Sequence, residues 1–146
     1  MTISAGINLS RIFGGGVIAG VVLFIVAGIF NGGILAGDFQ TWALGMGSLI
    51  HPQPQSTSLI LWATMSLIYG FAGVFIYACM RAPFGPGPKT ALYAGLFLWG
   101  VSKLTVALDL FALGLLTNRL IIGQLVVSAI GIVLGVLAGA WFYKVH

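Results

Sequence analysis

Four long apolar runs, separated by short polar breaks, make up most of this chain. They cover about residues 12–30, 58–80, 90–109 and 120–143. Each run is long enough, as a helix, to cross about 30 Å of hydrocarbon. The first, Ile12 to Phe30, has an apolar core too long for a typical signal peptide, and no small-x-small cleavage site follows closely, so it reads as a retained span. The pattern predicts an all-α membrane protein: a four-transmembrane-helix bundle forming one integral membrane domain over residues 1–146.

The longest break, about Asn31 to Thr57, carries its own pattern. Phe39, Trp42, Ala43, Met46, Leu49 and Ile50 recur at helical spacing, with Gln40, Thr41 and Ser48 pointing elsewhere. Asp38 is the expected N-cap, and His51-Pro52 the expected stop. This predicts a short interfacial helix in the first outer loop.

Composition sharpens the membrane reading. The chain is 60% hydrophobic and 5% charged, against about 25% charged in soluble domains. The net charge of +4 comes from only six cations, scattered along the chain, which points to membrane topology and anionic headgroups, with no nucleic-acid partner. Arg11, Arg81, Lys89 and Lys144 fall on one side of a four-span arrangement and Arg119 on the other. The positive-inside rule then places both termini in the cytoplasm of a bacterial inner (plasma) membrane. Tyr77, Tyr93, Trp141 and Tyr143 fall near the inner boundary, and Trp42 and Trp62 near the outer one. The single cysteine, Cys79, excludes an internal disulfide and a multi-cysteine metal site, and reads as a buried thiol.

Helices in a bilayer associate through close backbone approach, because lipid tails are as apolar as leucine. The fourth span carries Gly131, Gly135 and Gly139, with Ser128 and Ala138 beside them. The first carries Gly16, Gly20 and Ala27, and the third Ala91 and Gly95. These small-residue faces suit internal packing and equally suit docking to another membrane subunit or a second copy. Two such faces leave room for one to look inward and one outward.

Lys103 and Asp109 interrupt the third apolar run, where an ion costs a few kcal/mol or more. At about 1.5 Å per residue, Lys103 lies roughly 20 Å from the cytoplasmic end of its span and about 9 Å from the outer surface. Ser66, Gln124, Ser128, Ser102 and Thr105 fall at comparable depth, with Asp109 near the outer boundary. Six residues separate Lys103 from Asp109, about 120° on a helix, so they do not pair along it. Two readings follow. In one, Lys103 snorkels outward and Asp109 sits at the interface near Arg119. In the other, a small outward-open site uses Lys103 to hold an anionic headgroup or small anion, with Gln124, Ser128 and Ser66 as hydrogen-bond partners.

The segment Phe84-Gly85-Pro86-Gly87-Pro88-Lys89-Thr90 is not a phosphate loop. It lacks the Gly-Lys pair and the preceding strand, and its prolines remove N–H donors. It reads as a tight turn stiffened by Pro83, Pro86 and Pro88, with Pro88 starting the third span. This FGPGPKTA turn occurs with Ile76-Tyr77-Ala78 through Arg81, with Ala94-Gly95-Leu96 and Trp99, and with the closing Leu137-Ala138-Gly139-Ala140-Trp141-Phe142-Tyr143-Lys144. Together these resemble a family of small bacterial four-span membrane proteins of uncharacterised function. The resemblance covers the central hairpin and the C-terminus, less than half the chain. It implies fold and membrane location and brings no catalytic residues. Members of that family often carry an acidic residue in the fourth span, where this chain has only Gln124 and Ser128 as polar side chains.

Enzyme chemistry finds no foothold. The chain has no glutamate, and no Ser/His/Asp or Cys/His arrangement converges. His51 is in the outer loop and His146 is the last residue, so no histidine within a span offers itself to haem or chlorophyll. No metal or cofactor is expected, which leaves room for a pigment or lipid held peripherally. The halves show no convincing repeat, and the first span has no acid of the kind small multidrug exporters use. The sequence thus points to a structural or accessory subunit of a larger inner-membrane complex, packed through glycine-lined faces. The alternatives are a small ion or anionic-ligand carrier using Lys103 and Asp109, and a peripheral pigment- or lipid-binding subunit.

Overall fold

A computed structural model describes residues 7–145, with side chains through Tyr143; the Lys144 side chain and His146 lie outside the described residues. Among these residues every element is helical. The helices are α1 (Leu9–Ile29), α2 (Ala36–Met46), α3 (Gln55–Phe84), α4 (Pro88–Trp99), α5 (Thr105–Leu113) and α6 (Asn118–Val145). A π turn, Phe30–Ile34, extends α1, and a second, Gly100–Leu104, joins α4 to α5. Four continuous helical stretches, Leu9–Ile34, Gln55–Phe84, Pro88–Leu113 and Asn118–Tyr143, are each long and apolar enough to cross a membrane. All begin earlier or end later than the apolar runs, because backbone hydrogen bonding continues past the last apolar side chain.

The four stretches form a square. α1 and α4 stand at opposite corners, each packed against both α3 and α6, and α3 and α6 also touch across the diagonal. Glycine makes this closeness feasible. A Cβ on Gly135 would lie 2.7 Å from the Ala19 carbonyl oxygen, and one on Gly139 2.5 Å from that of Gly15. On the other side of α1, a Cβ on Gly20 would lie 2.8 Å from the Leu67 Cα, one on Gly16 would run into Phe71, and one on Gly70 into the Gly16 and Gly20 backbone. Gly131 is looser, with its nearest neighbours, Val26 and Leu23, at ordinary contact distance. Both glycine faces therefore look inward and seat α1 between α3 and α6; neither is turned outward. Val74, Tyr77, Ile132 and Val136 fill the core between these seams.

One end of the square, the turn end, holds the α3–α4 turn and both ends of the described chain. Asn8 caps α1 by accepting from the Arg11 N–H at 3.2 Å, and its own N–H reaches the Tyr143 hydroxyl at 3.4 Å. Tyr143 meets Tyr77 edge to face, ring centres 6.1 Å apart, and the Arg81 guanidinium lies 5.1 Å from the Tyr143 ring centre. Tyr77 and Tyr143 are thus buried core residues at this end, whereas Tyr93 and Trp141 stay exposed. In the turn, Gly85 takes φ 78° and Gly87 φ 158°, and Thr90 Oγ1 donates to the Gly85 carbonyl at 2.7 Å. Pro88 opens α4 as expected, while Pro83 lies inside the last turn of α3 instead of in the connection. Cys79 is exposed, not buried; it sits on the outward face of α3, which in this bundle is as apolar as the inside.

The opposite, loop end departs further from expectation. The Leu35 N–H bonds the Phe30 carbonyl at 3.0 Å, so Asn31 is still helical where the sequence suggested a loop. α2 forms as predicted but starts at Ala36, and Asp38 lies in its first turn without capping it. Its carboxylate pairs instead with Arg119 at 3.1 Å, where proximity of Arg119 to Asp109 had been expected. α2 stops at Gly47 (φ 52°) rather than at His51-Pro52, which leaves Leu49 78% exposed, while Phe39, Trp42, Ala43 and Met46 are partly covered. Trp42 Nε1 donates to the Leu115 carbonyl at 2.8 Å, and Leu35 packs against Gly123, which ties α2 to the α5–α6 turn.

Candidate functional site: a polar cleft at the loop end

The third helical stretch sets the site. α4 is wedged between α3 and α6, but past the π turn α5 packs chiefly on α6. The π turn starts at Gly100 and is accompanied by hydroxyl bonds back to the helix: Ser102 Oγ donates to the Leu98 carbonyl at 2.6 Å and Thr105 Oγ1 to that of Val101 at 2.7 Å. Such bonds weaken the regular ladder and bend helices, and single π turns recur at functional positions. Beside this π turn lies a cavity of about 160 Å³ between α5 and α6.

Lys103, Gln124 and Ser128 all line that cavity, among Val106, Ala107, Leu110, Leu116, Ile121 and Leu125. Lys103 belongs to the π turn, and its ammonium lies over the Tyr69 ring of α3, 4.3 Å from the ring centre. A cation on an aromatic face keeps part of its electrostatic stabilisation when water is removed. Gln124 Nε2 donates to Asn31 Oδ1 at 2.7 Å, so the first π turn also supplies a polar group to this region. Ser128 donates to the Leu125 carbonyl at 3.0 Å and accepts from Trp99 Nε1 at 3.2 Å; the same indole N–H reaches the Leu125 carbonyl at 3.0 Å.

Two of the five expected residues stand apart. Ser66 is buried where α3 crosses α1, its carbonyl beside Gly20, and takes no part in the cavity. Asp109 is exposed on α5, is not a cavity wall, and forms no ion pair among the described residues. Three contributors went unassigned in the sequence: Asn31, Tyr69 and Trp99. The sequence places Asn31 in the outer loop because apolarity ends at Phe30. Tyr69 and Trp99 are mid-run aromatics whose polar atoms need partners inside an apolar bundle, and that requirement was the available signal.

Among the described residues the cleft has one cation, one amide N–H left on Gln124, and no nucleophile–base pair. Among the described residues no group of three or more His, Cys, Asp or Glu side chains could hold a metal ion. The arrangement presents a cation and an N–H donor to a negative group. Compared with protein-family models, with curated proteins and with solved structures, the chain matches none.

Proposed function

We propose that this chain is a non-catalytic protein of the bacterial inner membrane, threaded four times with both termini in the cytosol, that holds an anionic ligand in the cleft at Lys103. The supporting observation is that Lys103, without a carboxylate partner among the described residues, walls a cavity otherwise apolar except for Gln124 and Ser128. A buried or half-buried cation with no counter-charge is costly, and an entering anion offsets that cost. The orientation rests on charge. Arg11, Arg81 and Lys89 belong to the turn end, whereas the loop end pairs Arg119 with Asp38.

Lys103→Leu tests the binding reading. It should abolish saturable binding of anions or anionic lipids to the purified protein in neutral nanodiscs, with helicity and unfolding temperature at or above those of the original protein. Unchanged binding would end this proposal. Labelling of a C-terminal tag in intact cells tests the orientation, and reagent access from outside would reverse it.

A second reading, an accessory subunit of a larger complex, draws on Asp109. This carboxylate is exposed about one helical turn from the end of α5, in a strongly apolar stretch, and a cation on a neighbouring subunit would offset its cost. Docking would then use the outer face of α4 and α5, since the glycine faces are occupied within the bundle. Gentle-detergent purification is the test. Stoichiometric partners that are lost in Asp109→Asn support it; a lone monomer counts against it. The absorbance of the same preparation answers whether a pigment is carried peripherally.

A further inference from the structure

Resting on the anion-binding reading above, we infer that the cleft takes the carboxylate end of a single-chain amphiphile of the fatty-acid class. Three observations select this ligand. First, among the described residues Lys103 is the only charged side chain lining the cavity. A monoanion neutralises it, whereas a divalent phosphate or sulfate would leave a net negative charge among apolar walls.

Second, the donors are few. The Ser128 proton is committed to the Leu125 carbonyl, and one Gln124 amide N–H is committed to Asn31. The Lys103 ammonium and the second Gln124 N–H remain, two donor groups for the two oxygens of a carboxylate. A hydrated inorganic anion, or a phosphate with more acceptor oxygens, would be left under-satisfied here, at a cost.

Third, the walls and volume suit hydrocarbon. Val106, Leu110, Leu116, Ile121 and Leu125 supply apolar surface around about 160 Å³. An apolar cavity of ~150 Å³ accommodates a benzene-sized group, so this one takes the first several carbons of a chain. It does not take a two-chain phospholipid. The remainder of the chain passes sideways out of the cleft beside α5, which packs closely only on α6, into the surrounding hydrocarbon.

The test uses the full chain in nanodiscs of neutral phosphatidylcholine, titrated with palmitate carrying a ¹³C carboxyl and read by NMR. The expected result is a saturable shift with one site per chain, weakened about tenfold or more in Lys103→Leu, as the loss of a charge-assisted hydrogen bond implies. Leu110→Trp fills the cavity with the ammonium retained and should weaken binding comparably, which keeps the test decisive if Lys103→Leu fails to fold. Lys89→Leu, at the other end, should bind as the original does. Palmitate bound equally well by the original protein and by both cavity variants would overturn the inference. So would displacement of palmitate by phosphatidylglycerol or inorganic phosphate as effectively as by laurate. Lys103-dependent binding of phosphatidylglycerol or phosphate, with none of palmitate, overturns the carboxylate assignment alone. Loss of Lys103 dependence for all three overturns the anion-binding reading as well.

Discussion

The two halves of this bundle are built on opposite plans. At the turn end and through the middle, Gly15, Gly16, Gly20, Gly70, Gly135 and Gly139 bring backbones so close that a single methyl group would meet a main-chain atom or a core side chain. At the loop end, Gly28, Gly32, Gly33 and Gly100 face open space, two π turns interrupt the helices, and a cavity remains. Glycine abundance is similar along the chain, yet within the helices of one half it mostly supports contact, and in the other, Gly123 against Leu35 apart, it mostly faces open space. Close backbone packing and polar side-chain contacts are thereby separated. The closely packed half fixes the helices, and the loose half is free to hold polar groups that a tight seam would exclude.

The sharpest break of this contrast is alanine exchange. Gly70→Ala places a methyl against the α1 backbone and should cost about 1–3 kcal/mol or more, read as a lower unfolding temperature in detergent. Gly28→Ala meets nothing and should be neutral or stabilising by up to about 1 kcal/mol, since alanine favours helix. Equal effects would erase the distinction between the halves. Next in size, Trp99→Phe removes the indole bonds to Leu125 and Ser128 and should cost about 1 kcal/mol. Gln124→Leu removes the bond to Asn31, and a membrane hydrogen bond averages only about 0.6 kcal/mol. Thermal unfolding of both variants would sharpen how far the loose half depends on its polar contacts. Smallest is Asp38→Asn. Its partner Arg119 is 78% exposed, so a salt-sensitive change of at most about 1 kcal/mol is expected, and a larger one would make α2 a structural clamp.

Much of the tight half was legible in the sequence. Long apolar runs fix helices because each backbone group must be satisfied within its own segment, and glycines four apart announce close approach. Which helix each glycine meets was not legible, since Gly135 and Gly16 carry the same local signal and differ only in their distant partners. The loose half was harder to read. A π turn depends on where neighbouring helices let the ladder slip, and neither Asn31 nor Gly100 announces one. The cluster of Lys103, Gln124 and Ser128 was found by counting depth, because rise per residue is nearly constant. Ser66 failed the same count because depth says nothing about rotation around the helix axis. Asp38 looked like a cap because caps are local, while its real partner lies on another helix.

The seating of α1 also bears on how the molecule is made. Its narrow grooves receive Gly135 and Gly139 of α6, which lies far downstream in the sequence, so α1 is synthesised well before its mate. During that interval one side of α1 is unclaimed, open to insertion factors, chaperones or proteases that survey nascent chains. Arrival of α6 is the event that withdraws this surface from inspection, and a product terminated before α6 would display it permanently.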